Sequence, residues 1–160
     1  MGNNSGSGFD TVKNGEHLVV RDKRQQEHFF KIAVFRTSAG MIGEALEIRQ
    51  GRVEGYQFQV LFDFDMDKKF VKQQLIEKIK RCINLHHLEP GKGQYRWQIT
   101  KPGILRGRIE ERQNEDTGGI ENYLVIDGHT ISYAELSRIL AAHTGFQFKL
   151  EIRDMTDECR

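Results

Sequence analysis

The fold is decided by two consecutive stretches, YQFQVLFDF at residues 56–64 and DKKFVKQQLIEKIKRCI at residues 67–83. In the first stretch apolar and polar side chains alternate, which predicts a β-strand. In the second stretch apolar residues recur at helical spacing, and Asp67 stands at the expected N-cap. The apolar residues of this predicted helix are Val71, Leu75, Ile79, Cys82 and Ile83.

Outward from this pair, the same patterns predict more strands and one more helix. Strand-like runs occupy residues 17–21, 28–36, 43–49, 95–100, 104–112, 123–126 and 146–153. Ser132 and Glu135 form a capping box at the start of a second helix, and Gly145 is the expected end. The chain is therefore predicted to be α+β, with a mainly antiparallel sheet of seven or eight strands and two helices.

Length and composition predict one water-soluble domain. A chain of 160 residues fits a single domain, which we place at residues 16–160 after a flexible tail at residues 1–15. No stretch approaches the roughly 20 apolar residues of a membrane helix, so no membrane partner is expected. Cys82 and Cys159 are far apart in the sequence, so each is expected to be a plain thiol. A reducing compartment, the cytoplasm, is therefore the predicted location.

Positive charge is concentrated in the middle of the chain. The whole sequence carries a formal net charge of +1, yet residues 68–108 hold 11 Lys and Arg against Glu77 and Glu89, a net +9. The flanking segments are acidic, with −2 over residues 1–67 and −6 over residues 109–160. This segregation predicts that the basic block meets an anion.

A predicted hairpin adds support to the expectation that the basic block meets an anion. Residues 95–100 and 104–112 are separated by the turn-forming Lys101-Pro102-Gly103, and antiparallel pairing would place Arg96 opposite Arg108. Gln98 would then face Arg106. Like charges directly opposite each other are destabilising, so this face of the hairpin favours a nearby anion.

Three sources of that anion are open. The favoured one is the acidic C-terminal third of the chain itself or a subunit partner, because charge runs are usually a solvated face. The second is a nucleic-acid backbone and the third is an acidic protein or small anionic ligand. The candidate anion-binding or nucleic-acid-binding residues are Lys68, Lys69, Lys72, Lys80, Arg81, Arg96, Lys101, Arg106 and Arg108.

No motif identifies a catalytic, metal or cofactor site. The carboxylates of Asp63, Asp65 and Asp67 fail the EF-hand pattern, which requires Gly and Glu where this chain has Lys68 and Gln74. Ser132 stands in a capping box and not in a nucleophile elbow. We therefore predict a noncatalytic binding or accessory module that acts through the basic surface, with a possible homo-oligomer. Nucleic-acid binding is the first alternative and a small enzyme without a recognisable motif is the second.

The C-terminal segment resembles the end of an uncharacterised bacterial protein family. The residues that carry the resemblance are IDG at 126–128, Ser132, Glu135 and GFQFKLEI at 145–152. The resemblance implies a prokaryotic cytoplasmic origin. It implies no activity, cofactor or catalytic residue.

Overall fold

Strands dominate the computed structural model, which describes Val12, residues 14–101 and residues 103–158. Within those residues the elements are β1 (Glu16–Arg21), β2 (Glu27–Thr37), β3 (Gly40–Arg49), β4 (Arg52–Phe62), α1 (Lys68–Cys82), β5 (Leu88–Pro90), β6 (Trp97–Ile99), β7 (Gly107–Gln113), β8 (Ile120–Ile126), β9 (His129–Ser132) and α2 (Tyr133–Ala141). They form three antiparallel sheets, ordered β1-β2-β3-β4, β5-β6 and β7-β8-β9. The predicted α+β class, mainly sheet with two helices, is confirmed.

The chain divides into two compact units. Unit 1 contains Met1–Asn84 and Ile152–Arg160, and unit 2 contains Leu85–Glu151. Most of the predicted tail, residues 1–15, lies outside the described residues. The single domain predicted over residues 16–160 stays a prediction.

The core of unit 1 forms where α1 packs on the four-stranded sheet. The apolar stripe predicted for this helix is buried throughout, and it packs with β-strand residues such as Phe30 and Phe58. Gly43 in β3 sets the approach distance, because a Cβ there would lie 3.0 Å from Val60 and 3.2 Å from Val71. The Asp67 side chain accepts a hydrogen bond from the Lys69 N–H, as predicted for the N-cap.

A charged cluster is buried in the same unit. The ring of His28 lies 2.8 Å from Glu47 Oε1 through Nδ1 and 3.2 Å from Asp22 Oδ2 through Nε2. Burial alone would lower the pKa of His28, but the hydrogen bonds to Glu47 and Asp22 outweigh it and raise that pKa. Burial likewise opposes the charge of Asp22, yet hydrogen bonds from the Gln26 N–H, His28 and the Arg24 N–H lower its pKa. The imidazole of His28 is therefore held between two carboxylates, and its protonated form is favoured relative to that of an ordinary histidine.

A β-bulge and a glycine position the central carboxylate of this cluster. Glu47 lies at the register shift between β3 and β4, where its Oε2 accepts hydrogen bonds from Tyr56 N–H at 2.8 Å and Arg49 Nη2 at 3.0 Å. Gly55 has a φ of 98°, and a Cβ there would lie 2.1 Å from Glu47 Oε2. A glycine is thus required beside the buried carboxylate.

Lys78 is a buried cation that the helical pattern did not single out. Its Nζ donates to three backbone carbonyls, Gln59 at 2.7 Å, Met155 at 2.9 Å and Asp157 at 2.7 Å. Burial lowers the pKa of Lys78, and the negative charge of Glu158 is the largest effect that opposes this change. The Lys78 side chain of α1 therefore links Met155 and Asp157 to β4 through hydrogen bonds.

Unit 2 is organised around the turn between β8 and β9. Asp127 and Gly128 both have positive φ, 51° and 76°, as a two-residue hairpin turn requires. The Asp127 carboxylate accepts hydrogen bonds at 2.7 Å from the N–H groups of His87 and Leu88, which lead into β5. Leu88 then packs in the core of this unit with Ile126, Ile131 and Ile139.

The hairpin predicted from residues 95–100 and 104–112 is wrong. β6 pairs with β5, so that Trp97 faces Pro90, and β7 pairs with β8, so that Arg108 faces Val125 and not Arg96. Each strand is joined to its partner by its own local turn. In the β5–β6 turn Gly91 N–H donates to Arg96 O at 3.0 Å. β6 and β7 therefore pair with β5 and β8, and the Lys101–Gly103 segment does not join two paired strands.

The strand predicted at residues 146–153 is also not formed. The backbone there joins no sheet, although its apolar and polar residues alternate. Phe146, Phe148, Leu150 and Ile152 are 73–90% exposed. A strand needs a neighbour for its backbone hydrogen bonds, and none of the described strands is paired with this segment.

Two further observations bear on the expectations from composition. Cys82, predicted to be a plain thiol, is disulfide-bonded, and the other cysteine of the sequence, Cys159, lies outside the described residues. Neither of the two described helices has the length and apolar character needed to cross a membrane.

The buried His28 cluster makes stability depend on pH. A raised pKa means that the His28 contribution is complete below about pH 6.5, the ordinary histidine value, and is lost as the pH rises through the folded value. The lowered pKa of Asp22 means that its contribution is complete above about pH 3.9 and is lost on acidification. We expect the urea midpoint, followed by circular dichroism, to fall between pH 5 and pH 8.

His28→Gln should flatten that fall and lower the free energy of unfolding by about 3 kcal/mol, because two carboxylates remain buried without the imidazole that bridges them. His17→Gln, a change at an exposed histidine of β1, is the matched control and should keep the wild-type profile. An unchanged pH profile in His28→Gln would contradict the role assigned to the cluster.

Lys78→Met should release the C-terminal residues while preserving the apolar stem of the side chain. Three carbonyls lose their donor, so we expect a loss of about 1–3 kcal/mol in stability and faster proteolysis after residue 152. Lys80→Met is the control, because Lys80 is exposed on the same helix. Equal effects of the two substitutions would show that the Lys78 contacts do not hold the segment.

Candidate functional site

The predicted basic surface is divided between the two units. Lys68, Lys69, Lys72, Lys80 and Arg81 all lie on α1 in unit 1. The four remaining candidates belong to unit 2, namely Arg96, Lys101, Arg106 and Arg108. Because the predicted hairpin is absent, the two arginines expected to face each other do not form one basic face.

Four of the nine candidate cations have carboxylate partners within the chain. On the α1 side, Lys72 pairs with Glu16 and Arg81 with Glu158. In unit 2, Arg96 Nη1 lies 3.5 Å from Glu135 Oε1, and Arg108 Nη2 lies 3.0 Å from Glu110 Oε2. Three of these carboxylates come from the acidic C-terminal third, the source that the sequence analysis favours.

Arg108 is the least available of these cations. Its side chain is only 16% exposed, and burial lowers the pKa of the guanidinium although the hydrogen bond to Glu110 opposes that change. Arg108 is therefore mostly packed inside unit 2, and little of its side chain is accessible to an external anion.

The other five candidates have no carboxylate within ion-pairing distance in the described part of the chain. Lys68, Lys69 and Lys80 are exposed on α1, Lys101 is exposed after β6, and Arg106 is half-buried before β7. Exposed lysines of this kind are fully hydrated.

A cleft of about 320 Å³ in unit 2 brings one predicted residue together with others that the sequence did not indicate. One wall is the β5–β6 turn with the start of β6, and the other wall is α2 with its N-cap. The lining side chains that bear on function are Tyr95, Arg96, Trp97, Ser132, Glu135 and Arg138.

Local backbone geometry builds both walls. A Cβ at Gly91 would lie 2.2 Å from Tyr95 O, so this tight turn requires glycine. The Ser132 hydroxyl accepts a hydrogen bond from the Glu135 N–H at 3.1 Å, which confirms the predicted N-cap. Glu135 and Arg138 are three residues apart, so both lie on the cleft face of the helix.

The cleft has an excess of positive charge. Its charged lining consists of two guanidinium groups, Arg96 and Arg138, and one carboxylate, Glu135. The Arg96 side chain is 67% exposed and its guanidinium lies 5.5 Å from the centroid of the Trp97 ring. Arg138 is exposed, with no carboxylate within ion-pairing distance among the described residues. The site can therefore accept a negative group without first breaking a buried ion pair.

Trp97 forms the floor between these cations and the core. Its ring contacts His129 with a centroid distance of 4.5 Å, while its Nε1–H is buried without a hydrogen-bond acceptor among the described residues. Of these cleft residues, the sequence analysis had proposed only Arg96 for binding. Arg138 lies six positions after the predicted N-cap Ser132, but nothing local indicated that residues some 40 positions apart would meet.

The described residues form no cluster suited to a metal ion. Within Val12, 14–101 and 103–158, no group of three or more His, Cys, Asp or Glu side chains is arranged to hold a metal ion. In the cluster of His28, Asp22 and Glu47, both ring nitrogens are already hydrogen-bonded within the protein.

Comparison with known proteins gives two matches of similar size. Residues 13–84 match the model of a domain of unknown function (DUF7686), and residues 87–157 match that of a second domain of unknown function (DUF7713). No curated protein and no solved structure matches the chain. The boundary between the two matches falls where the chain passes from unit 1 to unit 2. The chain is thus similar, over two consecutive stretches, to two domain families whose function is unknown.

Proposed function

We propose that this protein is a noncatalytic binding module and that the cleft of unit 2 is its site for a small anionic ligand. The observation that carries the proposal is the pairing of Arg96 and Arg138 in a cleft with one carboxylate. A volume of about 320 Å³ is at the small end of ligand pockets. Guanidinium groups bind carboxylates and phosphates through paired charge-assisted hydrogen bonds. The favoured ligand therefore presents one of these groups.

The same geometry favours binding over catalysis. The only hydroxyl on the α2 wall that could act as a nucleophile, Ser132, caps the helix, and the carboxylate of Glu135 lies beside Arg96. A general base must lie within hydrogen-bond distance of the group that it deprotonates, with its own acceptor atom available for that proton. Tyr95 and Trp97 add apolar surface that suits the body of an organic anion.

Trp97 provides a direct measure of occupancy because it is the only tryptophan in the chain. We expect a saturable change in its fluorescence on titration with adenosine monophosphate or citrate, chosen as phosphate and carboxylate probes. Arg96→Gln and Arg138→Gln should each weaken binding about tenfold, the equivalent of one charge-assisted hydrogen bond. Calorimetry of the same titrations provides a reading that does not depend on emission.

Two further variants separate the cleft from general charge. Arg106→Gln removes the same charge from unit 2 outside the cleft and should leave binding unchanged. Glu135→Gln should strengthen binding several-fold, since glutamine preserves the capping box while the competing carboxylate is lost. The absence of a saturable response, or an equal loss in Arg106→Gln, would overturn the proposal.

Nucleic-acid binding is a second candidate, favoured by a different observation. Lys68, Lys69 and Lys80 are exposed on one helix and none is paired with a carboxylate in the described residues. A row of hydrated lysines on a helix can neutralise successive phosphates and release counterions. This candidate uses the part of the predicted basic surface that lies in unit 1.

The test of this candidate is the salt dependence of oligonucleotide binding. Fluorescence polarisation with single- and double-stranded DNA and RNA at 50 and 150 mM salt should show weaker binding at the higher concentration. Changing Lys68, Lys69 and Lys80 to Gln should reduce the salt slope by about three. Changing the exposed Lys23, Arg24 and Arg52 to Gln is the charge-matched control. No binding at 50 mM salt, or equal effects of both triple variants, would exclude this candidate.

Origin and location stay part of the proposal. The C-terminal resemblance favours a bacterial protein and, with the sequence composition, the cytoplasm. The disulfide bond of Cys82 opposes this location, because disulfides are rare in reducing compartments.

A further inference from the structure

The most exposed apolar side chains of the described residues lie together in one extended segment. Phe146, Phe148, Leu150 and Ile152 are 74%, 90%, 75% and 73% exposed, and no other large apolar side chain in the described residues exceeds the 67% of Ile120. Burial of such a side chain is worth roughly 1.5–3 kcal/mol. A continuous apolar row of this kind marks an interaction surface.

The segment has the pattern of a β-strand but belongs to none of the described sheets. Its polar residues, Gln147, Lys149 and Glu151, alternate with the four apolar ones, so each set occupies one face in an extended chain. No described strand pairs with it. A segment with this alternating pattern at the edge of no described sheet can serve as a template for pairing with another chain.

We propose that residues 148–152 pair antiparallel with the same residues of a second copy of this chain. Directly opposite residues must share a face, so the two strands can be centred only on single residues. Centring on Leu150 places Phe148 opposite Ile152 twice on the apolar face. On the polar face it places Lys149 of each copy opposite Glu151 of the other.

Only the antiparallel register centred on Leu150 places Lys149 opposite Glu151, so it is the register with two opposite-charge pairs. Centring on Lys149 would place two lysines opposite each other, and a parallel arrangement aligned in register would oppose Lys149 to Lys149 and Glu151 to Glu151. Like charges directly opposite are destabilising, whereas opposite charges contribute roughly 0.2–1 kcal/mol per pair. Lys149 and Glu151 already form an ion pair within one chain, so both side chains lie on the same side of the strand. The sequence is thus complementary to itself about Leu150.

The geometry corresponds to a symmetric dimer. A two-fold axis through the paired Leu150 residues makes each copy present the same surface to the other, which closes the assembly at two chains. The interface consists mainly of two five-residue strands, so it belongs among small interfaces and the dimer should depend on concentration.

The test uses charge exchange, measured by sedimentation velocity over protein concentrations from 5 to 500 µM. We expect the wild-type mass to rise from one chain to two across this range. Lys149→Glu and Glu151→Lys should each remain monomeric, because each places like charges opposite each other. An equimolar mixture of the two variants should form a heterodimer, since acidic and basic strands then meet in the same register.

Lys101→Glu is the control for net charge, because this exposed lysine lies outside the segment, and it should dimerise like the wild type. A wild-type chain that stays monomeric at 500 µM would overturn the proposal and would mean that the segment is covered by its own chain or by another protein. Charge variants that self-associate as strongly as the wild type would also overturn it. The cleft titration is measured at low protein concentration, so its outcome is independent of this one.

Discussion

A cation in a folded chain must either reach water or be given acceptors by the protein, because the cost of desolvating a charge exceeds most other single terms. Residues 68–108 meet this requirement in three ways. Lys78 is buried with three backbone carbonyls, and Arg108 is mostly buried against Glu110. The exposed lysines of α1 stay hydrated. Arg96 is intermediate, with one carboxylate at 3.5 Å and most of its side chain in solvent, and that position makes it available to a ligand.

Local signals in the sequence were sufficient for much of the fold. The apolar stripe of α1 and the N-cap at Ser132 depend on residues within one or two turns, and both are confirmed. Pairing between strands depends on which partner is nearest in the folded chain. The hairpin prediction failed for this reason. Two of the strands were not recognised in the sequence, because Pro90 argued against a strand at β5 and because β9 is short. The Asp127–Gly128 dipeptide carried the signal for the β8–β9 turn, since both of its residues favour positive φ.

The candidate site was predictable only in part. Arg96 was selected from charge alone, through a strand pairing that the structure does not contain. Its neighbours Trp97 and Arg138 are separated by about 40 residues, and no local pattern connects them. The buried His28 cluster was likewise invisible, because it joins a turn, a strand and a bulge. Alternation at residues 146–152 predicted a strand, but none of the described strands pairs with this segment, and this observation suggests pairing with a second copy.

Arginine side-chain NMR provides the most direct test of whether the cleft of unit 2 binds an anion. Guanidinium ¹H–¹⁵N resonances would be followed while adenosine monophosphate is added to the labelled protein. We expect the signals of Arg96 and Arg138, together with the indole N–H of Trp97, to shift and saturate in parallel. The signals of Arg81 and Arg108, which are paired with carboxylates, should stay in place. Uniform small shifts of all arginines, or earlier shifts of Arg81 and Arg108, would contradict a specific anion site in the cleft.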